Sequence, residues 1–359
     1  MQKFKSIGSW SKAGLHTGLR DFPAEPVKRP YPNGWFAVCV SAELRPGAVL
    51  RRRFMGEEIV VYRTASGVAR VVGAYCPHLG AHLGYGGVVD GECVVCPFHK
   101  FAFDGSGQCV RSGYGTPPSS KLKLATHEVR EVDGIVLVWH HSLGEPPGWE
   151  VPDSVPRELR PRFSRTYTLV DIPQDVVENA FDVGHFEHVH HTNIEKYDCS
   201  FNGTSVSLSV DLVPNSRNLF GLMSSLHVHF DSEVHGLGFV HSRISVPKLG
   251  AVFQTWALPT PVDPLHLDFR VPLAIERMGR RGERVPRWLM RAVGVLALTA
   301  FGTDIARDFP IWQNKTYLPH PVLVQGDGPI GRYRRWAGQF YTGDVTDLSL
   351  AVAAKERRA

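Results

Sequence analysis

The chain has 359 residues, of which 43% are hydrophobic and 21% are charged, and its formal net charge at pH 7 is +5. These values are those of a soluble globular protein with one large or two ordinary domains. They exclude nucleic acid as the expected partner, because the basic residues form no long block. Residues 1–30 predict an irregular lead-in. Met1–Arg20 lacks the apolar core of a signal peptide, so a cytoplasmic location is expected.

Residues 31–145 predict a small all-β domain. Short apolar runs alternate there with turn signals such as Ser66-Gly67 and Asp133-Gly134, and the pair Asp90-Gly91 between valines is typical of a hairpin. The following stretch, 146–156, is rich in proline and is the best candidate for a linker. The first domain is therefore expected to end at residue 145.

Residues 146–359 predict a larger α+β domain. Helical spacing occurs at Asp175–His191 and at Pro286–Asp308, with strands between these two segments. The predicted strands are 205–213, 226–230, 239–246, 252–258 and 266–271. The most apolar run, Ala292–Gly302, is shorter than a membrane span. A buried core helix is favoured there over a tunnel mouth or a surface that rests against a membrane.

Two short motifs on the predicted hairpins each carry one cysteine and one histidine. Cys76 and His78 are spaced as Cys-x-His, and Cys96 and His99 as Cys-x-x-His. Two thiolates and two imidazoles are the ligands of a Rieske [2Fe–2S] centre, in which two histidines replace two cysteines on one iron. A structural zinc site is the alternative, since Cys93 and Cys96 form a Cys-x-x-Cys pair. This cysteine usage indicates a reducing compartment.

A second group of candidate ligands lies early in the larger domain. His185 and His190 are the candidate imidazoles, and Asp182 lies one helical turn before His185, on the same face. Because the two histidines are more than a regular turn apart, the helix is expected to end or loosen between them. Two histidines and one carboxylate form the facial triad of non-haem Fe(II) oxygenases. His188 and His191 are rival ligands on spacing alone, and a surface histidine cluster is the alternative.

The segments CPHLGAHL and CPFH, followed downstream by Asn-x-x-Asp-x-x-His-x₄-His, resemble the Rieske non-haem iron oxygenases. The segments YPNGWF, WEVP and RRW resemble the steroid branch of that family, which includes 3-ketosteroid 9α-hydroxylases and cholesterol 7-desaturases. The resemblance implies that a catalytic domain of helix-grip, START-like fold follows the small Rieske domain. One departure follows His99, where Lys100-Phe101 replace the small residue and tryptophan that are more usual in this branch.

The resemblance also implies roles for individual residues. The expected cluster ligands are Cys76, His78, Cys96 and His99. His185 and His190 would bind the mononuclear Fe(II). Asp182 would accept an imidazole N–H from each side and so connect this iron to the cluster of a neighbouring subunit. Asn179 begins the same motif and is a further catalytic candidate.

The third iron ligand is expected to be a carboxylate far downstream. Asp308 is chosen because the segment DFPIW resembles the Asp-x-x-Ile-Trp segment of the steroid branch. Pro310 suits a helix end, where a carboxylate can turn inward. Asp304, one helical turn earlier, is the runner-up.

By resemblance, the chain is the terminal oxygenase component of a Rieske monooxygenase system. It would use O₂ and electrons from a flavin and iron–sulfur NADH-dependent reductase, or a ferredoxin, to hydroxylate or desaturate a steroid or sterol. Sterol C-4 methyl oxidation and oxidation of another apolar or aromatic substrate are the alternative activities. The chain lacks a glycine-rich dinucleotide fingerprint, so it is not expected to bind NADH itself. A homotrimer is also implied, and a transient membrane contact is left open by the run 292–302.

Two other function classes fit this sequence less well. A Rieske electron carrier would need only the first domain, so the second domain argues against it. A lipid-binding module with zinc in the cysteine motif would contain neither iron nor acid-labile sulfide.

Overall fold

The computed structural model describes residues 30–214, 227–279 and 287–343. The lead-in expected over residues 1–30 therefore lies outside the described residues, apart from residue 30. The first residue of the strand predicted at 226–230 and the start of the helix predicted at Pro286 also lie outside them.

The first part of the described chain consists of short strands in three antiparallel sheets. Its strands are β1 (Gly34–Val40), β2 (Val49–Phe54), β3 (Glu57–Arg63), β4 (Ala69–Gly73), β5 (Val88–Asp90), β6 (Cys93–Val95), β7 (Ala102–Phe103), β8 (Cys109–Arg111), β9 (Val129–Val132) and β10 (Ile135–His140). The sheets have the orders β1-β10-β9, β2-β3-β4 and β5-β6-β7-β8. The predicted Asp-Gly hairpin is confirmed, since Asp90 pairs with Cys93 across the turn. The prediction of a small all-β domain is confirmed with it.

The second part is built on one seven-stranded antiparallel sheet of order β11-β17-β16-β15-β14-β13-β12. Its strands are β11 (Phe163–Val170), β12 (Thr192–Asn202), β13 (Ser205–Pro214), β14 (Val228–His235), β15 (Phe239–Val246), β16 (Ala251–Pro261) and β17 (His266–Arg277). The helices are α1 (Pro173–Glu178), α2 (Val183–His188), α3 (Arg287–Ile305), α4 (Phe309–Trp312) and α5 (Ile330–Ala337). A sheet with helices before and after it is the predicted α+β architecture.

Three details of the sequence interpretation were wrong. The helical segment predicted over 175–191, in which a break was expected only between His185 and His190, is also divided by a 3₁₀ turn at Asn179–Phe181, and the chain becomes extended at Asp182 before α2 begins. Strands β11 and β12 were missed. In β12 the exposed and half-buried positions alternate, as in a strand with one face towards solvent. The charged residues on the exposed face interrupt the apolar pattern, so the strand was not recognised. The apolar helical region is also longer than expected: Leu289–Trp312 spans 24 residues and contains an 18-residue window of mean hydropathy 1.4, enough by length and composition to cross a bilayer.

The first domain packs against one face of the large sheet, and the other face lines a cavity. In β16, Trp256 and Leu258 lie in a buried cluster with Trp35 of the first domain. Ala257 and Pro259, which alternate with them, line the cavity. Successive side chains of a strand point to opposite faces. The seven-stranded sheet therefore separates the first domain from the cavity.

The proline-rich stretch between the domains is packed onto the first domain. Trp35 Nε1 donates a hydrogen bond of 2.9 Å to the Trp149 carbonyl. Val151 is buried in the same hydrophobic cluster. The connection is therefore a fixed part of the domain contact, and the boundary between residues 145 and 146 stays a prediction.

Two half-buried histidines of the first domain predict acid sensitivity. His127 and His140 each make an edge contact with Phe54, and burial lowers the pKa of His140 from 6.5 to about 4. In the unfolded chain this imidazole gains its proton near pH 6.5, so the unfolded state binds more protons between these values and stability falls as pH falls. We expect the melting temperature to decrease from pH 6.5 towards pH 4, with a smaller slope in His140→Phe. An equal slope in both proteins would contradict this assignment.

Candidate metal centres

The two cysteine–histidine loops have the same backbone geometry. The amide of Cys76 donates to the Ala81 carbonyl, and the amide of Cys96 donates in the same way to the carbonyl of Phe101, both at 2.8 Å. Each cysteine carbonyl in turn accepts from the residue four positions on, which is Gly80 or Lys100. Two equivalent loops each present one thiol and one imidazole, as a shared cluster requires.

The fourth residue after each cysteine adopts a left-handed conformation. Gly80 has φ of 75° and Lys100 has φ of 59°. Glycine reaches this region freely, whereas a residue with a Cβ pays roughly 1–2 kcal/mol. The Lys100 ammonium donates to the Pro97 carbonyl at 3.0 Å, so the lysine makes a contact within its own loop.

Replacement of Lys100 by glycine is expected to stabilise the second ligand loop. Because the left-handed strain disappears and one exposed hydrogen bond is lost, the net gain should be about 1 kcal/mol. Chemical denaturation of Lys100→Gly against the parent chain measures it, and Gly80→Ala is the matched control, expected to lose a similar amount. A destabilised Lys100→Gly would show that the lysine contact outweighs the strain.

The predicted cluster ligands lie together at the tips of these loops. The Cys76 and Cys96 side chains are buried in one hydrophobic cluster, and the rings of His78 and His99 are 4.9 Å apart between centroids. His78 Nδ1 is buried and has no hydrogen-bond partner among the described residues. An orphaned ring nitrogen beside two thiols fits a metal ligand. Burial, with a contribution from Cys96, raises the pKa of Cys76 to about 11, so metal binding must displace its proton.

In the second site, Asp182 caps the helix that carries His185. Its carboxylate Oδ1 accepts from the His185 amide at 3.1 Å, which satisfies a free donor at the start of α2. The ring Nδ1 of His185 bonds the backbone carbonyl of Asp182. The sequence interpretation expected an imidazole contact with the carboxylate. The carbonyl of Asp182 makes this contact instead, because its carboxylate accepts from the amide at the start of α2.

The structure brings His185, His190 and Asp308 together. One ligand atom from each lies within 4.8 Å of the others. Asp308 is buried in the turn between α3 and α4, and its Oδ2 is 3.2 Å from His190 Nε2. Asp304 lies on the outer side, 52% exposed, with Oδ2 3.2 Å from His190 Nδ1. His190 Nδ1 has no hydrogen-bond partner among the described residues, so Asp304 acts on this ring through its charge, whereas Asp308 is placed to share its metal.

The rival histidines lie outside this group. His188 and His191 are both exposed at the end of α2 and beyond it. His191 adopts φ of 56°, which turns the chain into β12. The predicted break between the two ligating histidines is the end of α2 at His188, before Val189.

Carboxylates surround the two histidines of the site, and the pKa values of these histidines are shifted in opposite directions. Burial lowers the pKa of His185, although Asp182 and Asp308 oppose the shift. Burial also acts to lower the pKa of His190, but the carboxylates of Asp304 and Asp308 outweigh it and raise the value to about 9. A bound cation would replace the proton that these carboxylates hold on His190. The donor set therefore fits a mononuclear iron.

An apolar cavity leads to this group of ligands. His185 and Asp308 lie in its wall, together with Asn179 and the buried ring of Trp312. Aliphatic and aromatic side chains from the sheet and from α1 and α3 form most of the remaining lining. Asn179 therefore faces the space where a substrate would lie.

A larger groove of about 780 Å³ lies on the other face of the sheet. Serines, carboxylates and Arg243 line it, and it contains none of the predicted iron ligands. We therefore place the reaction in the apolar cavity.

Sequence reasoning missed two polar residues of the cavity and the use of Asp304. Ser232 and Ser242 lie on the sheet wall and bond each other. Their position is visible in the sequence only once the strands and their faces are known. Asp304 was considered as a ligand but not as a partner of His190.

Comparison with known families finds a match for each of the two parts of the chain. Residues 34–126 match the Rieske [2Fe-2S] domain, and residues 138–341 match the 3-ketosteroid 9alpha-hydroxylase C-terminal domain. A cholesterol 7-desaturase of Ciona intestinalis is 35% identical over 89% of this chain and 71% of that protein. The oxygenase component of 3-ketosteroid-9-alpha-monooxygenase from Mycobacterium tuberculosis is 27% identical over 92% of this chain and 87% of that protein.

Solved structures share the fold at low identity. Dicamba monooxygenase bound to dicamba aligns with a TM-score of 0.66 and 18% identity, over 90% of this chain and all of that one. NdmA of Pseudomonas putida CBB5 aligns with a TM-score of 0.62 and 19% identity, over 84% of this chain and 88% of that one. The family matches, the two ligand loops and the second group of ligands lead to one conclusion: the chain belongs to the Rieske non-haem iron oxygenases, in the group that has the 3-ketosteroid 9alpha-hydroxylase C-terminal domain.

Proposed function

We propose that this oxygenase hydroxylates or desaturates a steroid or sterol, with O₂ and with electrons from a flavin and iron–sulfur reductase or a ferredoxin. The observation that carries the proposal is the apolar cavity whose wall contains His185 and Asp308. Transfer of a rigid apolar substrate from water into such a cavity is favourable. Relatives named for cholesterol and 3-ketosteroid oxidation support the substrate class.

The residues of this chain have separable tasks in the proposal. Cys76, Cys96, His78 and His99 would hold the [2Fe–2S] cluster. His185, His190 and Asp308 would hold Fe(II), which when bound supplies O₂ activation with electrons from the cluster. Asp182 fixes the ring of His185 through its carbonyl, and the apolar lining excludes water from the substrate.

Mass spectrometry of products tests this function directly. The enzyme would be incubated in air with NADH, a surrogate reductase and a panel of 3-ketosteroids, cholesterol and 4-methylsterols. We expect gain of one oxygen on a 3-ketosteroid or loss of two hydrogens from cholesterol. Oxidation of a 4-methyl group would point instead to demethylation. No turnover of any steroid, with normal reduction of the cluster, would overturn the substrate class.

We also propose a head-to-tail trimer in which the cluster of one subunit serves the iron of the next. The large sheet separates the first domain from the cavity of the same chain. Exposed apolar side chains surround the cluster loops, including Leu79 and Phe98. A second apolar surface, Val322–Val324, lies near α2, since Asp327 of the same loop accepts from the Val183 amide. A head-to-tail contact would cover both surfaces.

Subunit complementation tests this assembly. Cys96→Ser removes a cluster ligand and His190→Ala removes an iron ligand, so each homomeric variant should be inactive. Co-expressed with different tags and purified as mixed assemblies, the two should regain activity, because an intact cluster then faces an intact iron site. Mixed assemblies that stay inactive would contradict electron transfer between subunits.

A transient contact between α3 and a lipid surface is a further part of the proposal. Between Arg291 and Asp304 the helix has no charged residue, and Val295 and Leu296 are 56% and 69% exposed. Thr299 donates its hydroxyl to a carbonyl one turn back, as does Thr303. An exposed helix face normally carries charges. This uncharged face suits a helix that lies on a bilayer.

Vesicle flotation tests the lipid contact. The parent chain should float with phosphatidylcholine–cholesterol vesicles, and Val295→Asp/Leu296→Asp should not. Val110→Asp, at an exposed position of the first domain, is the control and should float like the parent. Equal flotation of all three proteins, or of none, would contradict a contact through α3.

The proposed location is cytoplasmic. None of the six cysteines is joined to another by a disulfide, and proteins of oxidising compartments more often pair them. Detection of the protein in a periplasmic or secreted fraction would overturn this assignment.

A further inference from the structure

The sheet wall of the cavity carries one pair of hydroxyl groups. Ser232 of β14 lies directly opposite Ser242 of β15, and their Oγ atoms are 2.7 Å apart. Both line the cavity, where most of their neighbours are apolar, and Ser232 also borders the polar groove described above. The predicted iron ligands lie on the helical side, so the serine pair and the iron site occupy different walls.

The pair has one more hydroxyl proton than it uses. Two serine hydroxyls supply two donors, and their mutual contact consumes one of them. Within the described ranges, neither Oγ has another hydrogen-bond partner. Both serines are half-buried, so an apolar ligand that excludes water from the cavity would leave this proton without an acceptor, which costs free energy. An oxygen atom on the bound ligand would remove this cost.

Serines on the other face of the same sheet differ from the Ser232–Ser242 pair in having carboxylate partners. Ser207 and Ser209 of β13 point to the other face, where they donate to Glu233 and Asp231. Those serines have partners from the protein itself. Among the residues that the structure describes, Ser232 and Ser242 bond only each other.

We propose that Ser232 and Ser242 recognise a hydroxyl or keto oxygen on the substrate, at a position distant from the carbon that is oxidised. This inference rests on the proposed function and makes it more specific. The pair donates to the substrate oxygen from the sheet wall and so fixes which end of an apolar ring system enters first. The orientation of the ring system then decides which carbon faces His185 and Asp308. The two serines are positioning residues.

Binding of two matched steroids to the holoenzyme tests the proposal without turnover. The probes are 5α-androstan-3β-ol and 5α-androstane, which differ by one oxygen. A net hydrogen bond corresponds to about a 5-fold tighter Kd for the alcohol. In Ser232→Ala/Ser242→Ala this preference should disappear, while 5α-androstane binds as before. In the control Ser207→Ala/Ser209→Ala, on the other face of the same sheet, the preference should remain.

The outcomes separate this proposal from the proposed function. Equal binding of both probes by the parent chain, or an unchanged preference in the cavity double variant, would overturn recognition by the serines and leave the steroid assignment intact. Failure to bind either probe would overturn both. A serine pair that only stabilises the sheet would change melting temperature but not the ratio of the two Kd values.

Discussion

Asp308→Asn is expected to abolish turnover while the cluster spectrum stays intact. The amide keeps the shape of the buried side chain but removes the charge that lies 3.2 Å from His190 Nε2. Changes in residues that only orient a metal ligand typically cost 10–100-fold, so loss of a ligand should cost at least about 100-fold. Initial rates of substrate oxidation with saturating reductase measure the effect.

Asp304→Asn is the matched control for this prediction. Asp304 contacts the same imidazole through Nδ1, but it is half exposed to solvent. Its contribution is screened by water, and we expect less than about a 10-fold loss of rate. Equal losses in the two variants would contradict Asp308 as the ligand and reopen the choice between them.

Cys96→Ser is expected to remove the cluster and all multiple-turnover activity. Cys96 is 1% exposed and lies in the same hydrophobic cluster as Cys76, so the absent thiolate cannot be replaced by solvent. Visible absorbance and acid-labile sulfide should be lost, and bound iron should fall to that of the mononuclear site. Steroid binding should persist, because the cavity lies on the other side of the large sheet.

The chain offers a close control in Cys109→Ser. Cys109 is buried in the same hydrophobic cluster as Cys76 and Cys96, yet neither motif includes it. Its Sγ contacts the Arg111 carbonyl at 3.5 Å, which a serine hydroxyl can also do. Retention of sulfide and absorbance is expected here. Their loss in Cys109→Ser but not in Cys96→Ser would refute the ligand assignment.

The features that could be predicted from the sequence are local. The cluster ligands lie in two loops in which a cysteine, a turn and a histidine are close along the chain, so their spacing defines the geometry. The break between His185 and His190 followed from helix periodicity. By contrast, the Asp182 carboxylate accepts a hydrogen bond from an amide at the start of α2. This contact depends on the residue at which the helix starts, and helix periodicity alone gave a wrong start.

Features that depend on distant parts of the chain could not be derived in this way. Asp308 reaches the histidines only through the packing of α3 on the sheet, so its choice over Asp304 rested on the resemblance of DFPIW to the steroid branch and on the nearby Pro310. The facing of Ser232 and Ser242 requires the register of two strands. Strand β12 was not predicted, because charged residues on its exposed face interrupt its apolar pattern.

The central claim is that an apolar steroid binds beside an iron held by His185, His190 and Asp308. Electron paramagnetic resonance of the reduced enzyme with nitric oxide tests it most directly, since nitric oxide forms a high-spin adduct with Fe(II) at a site with open positions. We predict such a signal in the parent chain, its loss in His190→Ala, and a changed line shape when a bound steroid occupies the cavity. A signal that persists in His190→Ala, or that no steroid alters, would contradict the account.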